Sequence, residues 1–281
     1  MKKIKFEILL KCILTGVIYG VTTCIIQVPV ANVLYSVLNI QADALISDDM
    51  LPVLLLAICI IGMTMALFYY LNGHLFVSDS KWKRGIKFGI FIYVSNYIPQ
   101  VFFLDANKGF RALMNGGFPV IQVELFDFVI LMITVLLMVT YMPCRFEKIP
   151  ANNKAICWKY ILCACAFTAI LVVLQEVLLP RFGVSNMASG LKVSAENLPF
   201  FYGVMIVGFM IAGILVSRYT FTAKKEGVKE RFCIEYGILI WCTFDLTMIP
   251  LGFGIMESII FIIISMMAFA GVEILCRYLS E

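Results

Sequence analysis

The sequence is short of charge. Charged residues make up 14% of its 281 positions and hydrophobic residues 62%, against about 25% and about 45–50% in an average soluble domain. With 22 basic and 18 acidic side chains, the chain cannot coat a soluble surface around that much apolar material. A soluble enzyme, a disordered chain and a nucleic-acid binder are thereby excluded. What remains is an all-α, polytopic integral membrane protein.

Histidine is almost missing, since His74 is the only one. Paired-histidine haem ligation and a His-Glu-x-x-His zinc helix are therefore excluded. A Ser-His-Asp triad would have to use His74, and no Gly-x-Ser-x-Gly elbow accompanies it. At the inner end of the second apolar run, His74 reads as a solvated loop histidine. There is no Walker-type phosphate loop and no Cys-x-x-Cys pair. Of the ten cysteines, most lie within apolar runs, where cysteine acts as a small hydrophobe. Cys163 and Cys165 point to different helix faces, a poor geometry for one metal. The expectation is a chain with no cofactor, no metal site and no catalytic set.

Long apolar runs are what the sequence has in quantity. Crossing a hydrocarbon core about 30 Å thick takes about 20 mostly apolar helical residues. Eight runs meet that length, near 8–38, 51–72, 86–104, 118–143, 155–179, 198–217, 232–250 and 254–277. Lipid leaves backbone groups no outside partner, so such runs must be helices. With the amino terminus inside, 16 of the 22 basic residues fall in the cytoplasmic segments and only Lys108, Arg111, Arg181 and Lys192 in the outer loops. Lys11 and Lys159 snorkel to the inner side. The expectation is a multi-pass protein of the cell (inner) membrane with both termini cytoplasmic. Its partners are membrane lipid, attracted by the basic inner loops, and no nucleic acid. A homo- or hetero-oligomer within the membrane stays open.

Shifting the chain by 148 residues lays helices 1–3 on helices 5–7 without a gap. Lys11 then meets Lys159, Gln27 meets Gln175, and Ile86–Tyr93 falls on Ile234–Trp241. After a shorter outer loop, Glu124 and Cys144-Arg145 match Glu257 and Cys276-Arg277 at shifts of 133 and 132. The landmarks point to a duplicated four-helix unit, residues 1–150 and 151–281. An even number of helices per unit makes the copies parallel, related by an axis along the membrane normal, as in some secondary transporters.

Carboxylates in hydrocarbon are costly and face a bundle interior, a partner or water. Glu124 and Asp127 share one face of helix 4, Glu176 ends helix 5, Asp245 lies well inside helix 7, and Glu257 opens helix 8. All five belong to the outer half of the bilayer, where Gln27, Asn96, Gln100 and Gln175 lie at comparable depth. Apolar neighbours surround Asp245, with no basic residue nearby in sequence. The candidate substrate- or ion-binding residues are accordingly Asp245, Asp127, Glu124, Gln27, Gln175 and Asn96, lining an outward-facing acidic cavity for a small cationic ligand or a proton. Glu235 and Glu273 read as interfacial ion-pair partners. Three functions compete, in this order. They are a small-molecule or ion transporter, a non-catalytic assembly, immunity or regulatory component, and a lipid-modifying enzyme using Glu124 and Asp127 as an acid/base pair.

Overall fold

A run of twenty apolar residues has only its own backbone to bond to in lipid, and the helix satisfies every interior N–H and C=O locally. A computed structural model of the protein, which describes residues 6–37, 51–99, 118–145, 158–190, 193–225, 231–246 and 254–280, is all-helical. It is 89% helical, with no strand among the described residues. The long helices are α1 (Phe6–Val37), α2 (Leu51–Asn72), α3 (Lys81–Ile92), α4 (Phe118–Tyr141), α5 (Trp158–Val172), α6 (Leu198–Lys225), α7 (Phe232–Tyr236) and α8 (Ile255–Tyr278). Three of them continue through a π-helical segment: α3 through Tyr93–Tyr97, α5 through Val173–Leu178, and α7 through Gly237–Trp241 into Cys242–Asp245.

Five stretches are long and apolar enough to cross a membrane: Phe6–Ile26, Pro52–Leu75, Trp158–Phe182, Leu198–Ala223 and Ile255–Tyr278. Their outer faces stay apolar. Leu10, Leu14, Val17, Val21 and Ile25 form one exposed stripe down α1, a surface that lipid covers and water would not. These spans make the chain a membrane protein of several passes.

Two helices depart from the lengths expected of them. The third begins at Lys81, not near residue 86. Its first turns are amphipathic, with Lys81, Trp82 and Lys83 exposed while Gly85 and Phe88 are buried, so a basic stretch assigned to a loop is helical. The sixth continues past residue 217 to Lys225, because Tyr219 packs on Phe76 with ring centroids 4.6 Å apart and Phe221 packs on Tyr160.

Contacts between helix ends fix the direction of each helix. At one end of the bundle, Asn72 closing α2 donates to Glu235 opening α7 at 2.8 Å. Lys159 opening α5 donates its Nζ to the Leu279 carbonyl after α8. Arg84 in α3 donates to Cys144 after α4 at 3.4 Å, and the Arg145 N–H donates to Tyr70 near the end of α2. At the far end, Tyr202 of α6 donates to Glu176 of α5 at 3.2 Å, and the ring of Tyr97 beyond α3 meets Phe244 beyond α7 at 4.7 Å. Successive helices therefore run in alternate directions.

Side packing follows a repeated scheme. Helix α1 packs along α2 and α4, while α5 packs along α6 and α8. Helix α3 lies on α4 and α7 on α8; across the bundle α2 meets α7 and α6 meets the π segment of α3. Small residues set the closest crossings. A Cβ on Gly16 would stand 2.5 Å from the Cys59 carbonyl, and one on Gly62 would stand 2.9 Å from the Gly16 Cα. In the second half a Cβ on Gly213 would stand 2.7 Å from the Cα of Ala164. Each crossing brings backbone onto backbone, the contact on which helix association in lipid relies.

Candidate functional site

Six of the polar side chains buried in these helices lie in the π segments or directly after one. Ser95 and Asn96 belong to that of α3, Gln175 and Glu176 to that of α5, while Thr243 and Asp245 directly follow that of α7. A π turn widens the helix by one residue and frees a carbonyl from its usual partner, which is why such turns recur at functional sites.

Asp245 is 5% exposed and accepts a hydrogen bond from the Ser265 hydroxyl of α8 at 3.1 Å. It faces protein, not lipid. Ser265 lies ten residues into α8, about 15 Å along a helix about 36 Å long, so the pair sits near the middle of that helix. Cys242, on the same face as Asp245, points its thiol to the Ile262 carbonyl at 3.9 Å. Asp245 thus belongs to the contact between α7 and α8. The described donor is a serine twenty residues on, which the sequence reading had not put among the candidates.

The remaining candidates take separate places. Asn96 is fully buried in the π segment of α3. Gln175 is 3% exposed, and its buried Oε1 has no hydrogen-bond partner among the described residues. Asp127 is half-buried beside Tyr19 of α1, so the two aspartates stand in different halves of the chain. The backbone at Glu124 and Gln27 is helical, while their side chains lie outside the described residues, and Gln100 lies outside them altogether.

Several acidic residues hold structure. Glu176 accepts the Met187 N–H at 3.1 Å and the Tyr202 hydroxyl at 3.2 Å, tying α5, the Met187–Gly190 turn and α6 together. Glu257 accepts the Gly254 N–H at 2.9 Å at the start of α8. Glu273 pairs with Arg277 at 3.3 Å, as the sequence suggested, whereas Glu235 takes Asn72. His74 corrects another expectation. It is 5% exposed in the Gly73–Leu75 turn near Arg84 and Arg145, not a solvated loop residue.

Helices α3 and α7 meet in two layers. Toward the basic end, Phe68, Phe76, Phe88, Phe91, Tyr219, Phe232 and Tyr236 form one aromatic cluster with centroids 4.6–6.2 Å apart. The Tyr236 hydroxyl donates to Ser95 at 2.9 Å at its edge. Beyond that bond the layer turns polar: Asn96 follows, and Thr64 of α2 donates to Thr243 at 3.4 Å. Among the described residues no group of three or more His, Cys, Asp or Glu could hold a metal ion.

The sequence reading singled out Asp245 and passed over Ser95 and Ser265, the serines bonded to Tyr236 and Asp245. One signal was available, because Ser265 lies in the apolar middle of α8, seven residues after Ser258 and so on the same face. The chain matches no known protein family, no curated protein and no solved structure.

Proposed function

We propose that the protein is an eight-span transporter of the cell (inner) membrane, built from two parallel four-helix repeats, 1–150 and 151–281, with both termini cytoplasmic. Its cargo or coupling species is a small cation or a proton, received at Asp245. The buried Asp245 carries this reading. A carboxyl group beside the middle of α8, enclosed by protein and answered only by a serine hydroxyl among the described residues, is a functional position by default in a membrane protein. The π turn before it supplies the irregular backbone that transporters place at their sites.

The repeat is supported by contacts that recur at equivalent positions. Gly89 and Gly237, 148 residues apart, both press on the last helix of their half, Gly89 on Met132 and Gly237 on Phe269. Gly16 and Ala164, also 148 apart, both sit at the first helix crossing. Thr15 and Cys163 both reach the last helix, at Tyr141 and Cys276. The pairings α2 with α7 and α6 with α3 exchange under the same operation. Alternating directions of eight helices, with the described basic residues other than Arg181 gathered at one end, support the even span count and the cytoplasmic termini.

Proteoliposomes test the reading, with sodium, potassium or methylammonium as probes, at neutral and acidic pH. Asp245→Asn keeps the hydrogen-bond geometry and removes the charge. The expected result is wild-type flux of one probe, or of protons, that Asp245→Asn abolishes while the protein inserts and folds normally. Flux indifferent to Asp245→Asn would exclude Asp245 as the site.

A further inference from the structure

We propose that Cys163 and Cys276 form an oxidisable dithiol, a modification site that closes into a disulfide joining α5 to α8. The two Sγ atoms lie 3.5 Å apart, and both side chains have zero exposure. Cys163 is in the second turn of α5 and Cys276 in the last turns of α8. A second tie between the same helices brackets the pair: Lys159, one turn before Cys163, donates to the carbonyl of Leu279, three residues after Cys276. The helices are therefore held in register where the thiols meet.

The spacing favours oxidation over metal binding. Two thiols are too few to hold an ion, and among the described residues no third His, Cys, Asp or Glu joins them, whereas a disulfide needs only the pair. Bond formation brings the sulfurs together by about 1.5 Å, to the usual S–S length of about 2.05 Å. Its neighbour in sequence, Cys165, faces outward from α5 and has no described sulfur opposite it. In the first half the position equivalent to Cys163 is Thr15, whose hydroxyl lies 2.7 Å from that of Tyr141 on α4. Both halves thus clasp their first helix to their last at this level. One clasp is a hydrogen bond, and the other is a pair of thiols that oxidation makes covalent.

The oxidant is a small uncharged peroxide, able to enter an apolar interior. One thiol takes an oxygen from hydrogen peroxide, giving a sulfenic acid and water; the second thiol attacks that sulfur, forming the S–S bond and releasing a second water. The two thiols lose two electrons and two protons, which reduce one peroxide to two waters. Thiol–disulfide exchange with a dithiol reductant returns the pair to its open form.

The test uses the full chain in detergent micelles, treated with hydrogen peroxide, unfolded, alkylated and digested without reductant. Mass spectrometry is expected to find the peptides of Cys163 and Cys276 joined, two hydrogens lighter than their sum and separated by reduction. The oxidised protein should unfold at a higher temperature than the untreated one. Cys163→Ala and Cys276→Ala should each remove both the joined peptide and the rise. Alkylated or sulfinic Cys163 and Cys276 after treatment, or a joined pair at other cysteines, would overturn the proposal on the wild-type protein alone, whatever the fate of the variants. The outcome is independent of transport, so it and the cation-flux experiment fail separately.

Discussion

A carboxyl group answered by a hydroxyl, as at Asp245, tolerates asparagine where an ion-paired one would not, because no cation is left behind. Removing the other partner is the sharper probe. In Ser265→Ala the only described donor to Asp245 is lost, at a cost of about 0.6 and at most about 1.7 kcal/mol for a hydrogen bond between membrane helices. Thermal unfolding in detergent should therefore fall slightly, and a large fall would mean that Ser265 holds more than this contact. Tyr236 gives a paired comparison, since its hydroxyl bonds to Ser95 while its ring sits wholly inside the aromatic cluster. Tyr236→Phe removes only the bond and should cost about 0.6 kcal/mol. Tyr236→Ala also empties a ring-sized volume and should cost about 3–5 kcal/mol. Denaturant or heat unfolding that ranks the two variants equally would contradict the packing role assigned to the cluster.

At the scale of elements, the five membrane-length helices were legible because apolar run length alone decides that a segment is helical in lipid. The ends were less so. Lys81–Arg84 fell ahead of the third apolar run because of its charges, yet Gly85, Phe88 and Gly89 on the opposite face are buried and carry the helix back to Lys81. The π segments were not legible at all, since an extra residue in a turn answers to how a helix must face its neighbours, not to local composition. The glycine crossings give this scale its prediction. A side chain at Gly213 would overlap the backbone of Ala164, so Gly213→Val should force α5 and α6 apart and destabilise by about 1–3 kcal/mol. A Cβ at Gly203, on the same helix, would meet nothing within 4 Å. Gly203→Ala should accordingly leave the unfolding temperature unchanged or slightly raised, and a loss equal to that of Gly213→Val would remove the close-packing explanation.

At the scale of the whole molecule, the proposed repeat rests on the sequence landmarks Lys11 and Lys159, Gln27 and Gln175, and the Gly89 and Gly237 segments. Of these landmarks, Gly89 presses on Met132 of α4 and Gly237 on Phe269 of α8, which supports the proposed repeat. The placement of Asp245 was only half legible. Its burial followed from its apolar neighbours, whereas its partner depended on the rotation of α8 about its own axis, which no local pattern encodes. The central claim is that two parallel repeats cross the membrane an even number of times each, which places equivalent loops on the same side. Cysteines added one at a time at Ser78 and Gly227, which fall in the chain between α2 and α3 and between α6 and α7, and at Ser47 and Ser189, between α1 and α2 and between α5 and α6, test it in intact cells with a membrane-impermeant maleimide, against the native chain as blank. The account predicts labelling from outside at Ser47→Cys and Ser189→Cys, and labelling at Ser78→Cys and Gly227→Cys only after the cells are opened. Opposite behaviour at Ser78→Cys and Gly227→Cys would contradict it, because parallel copies cannot place equivalent loops on different sides of one membrane.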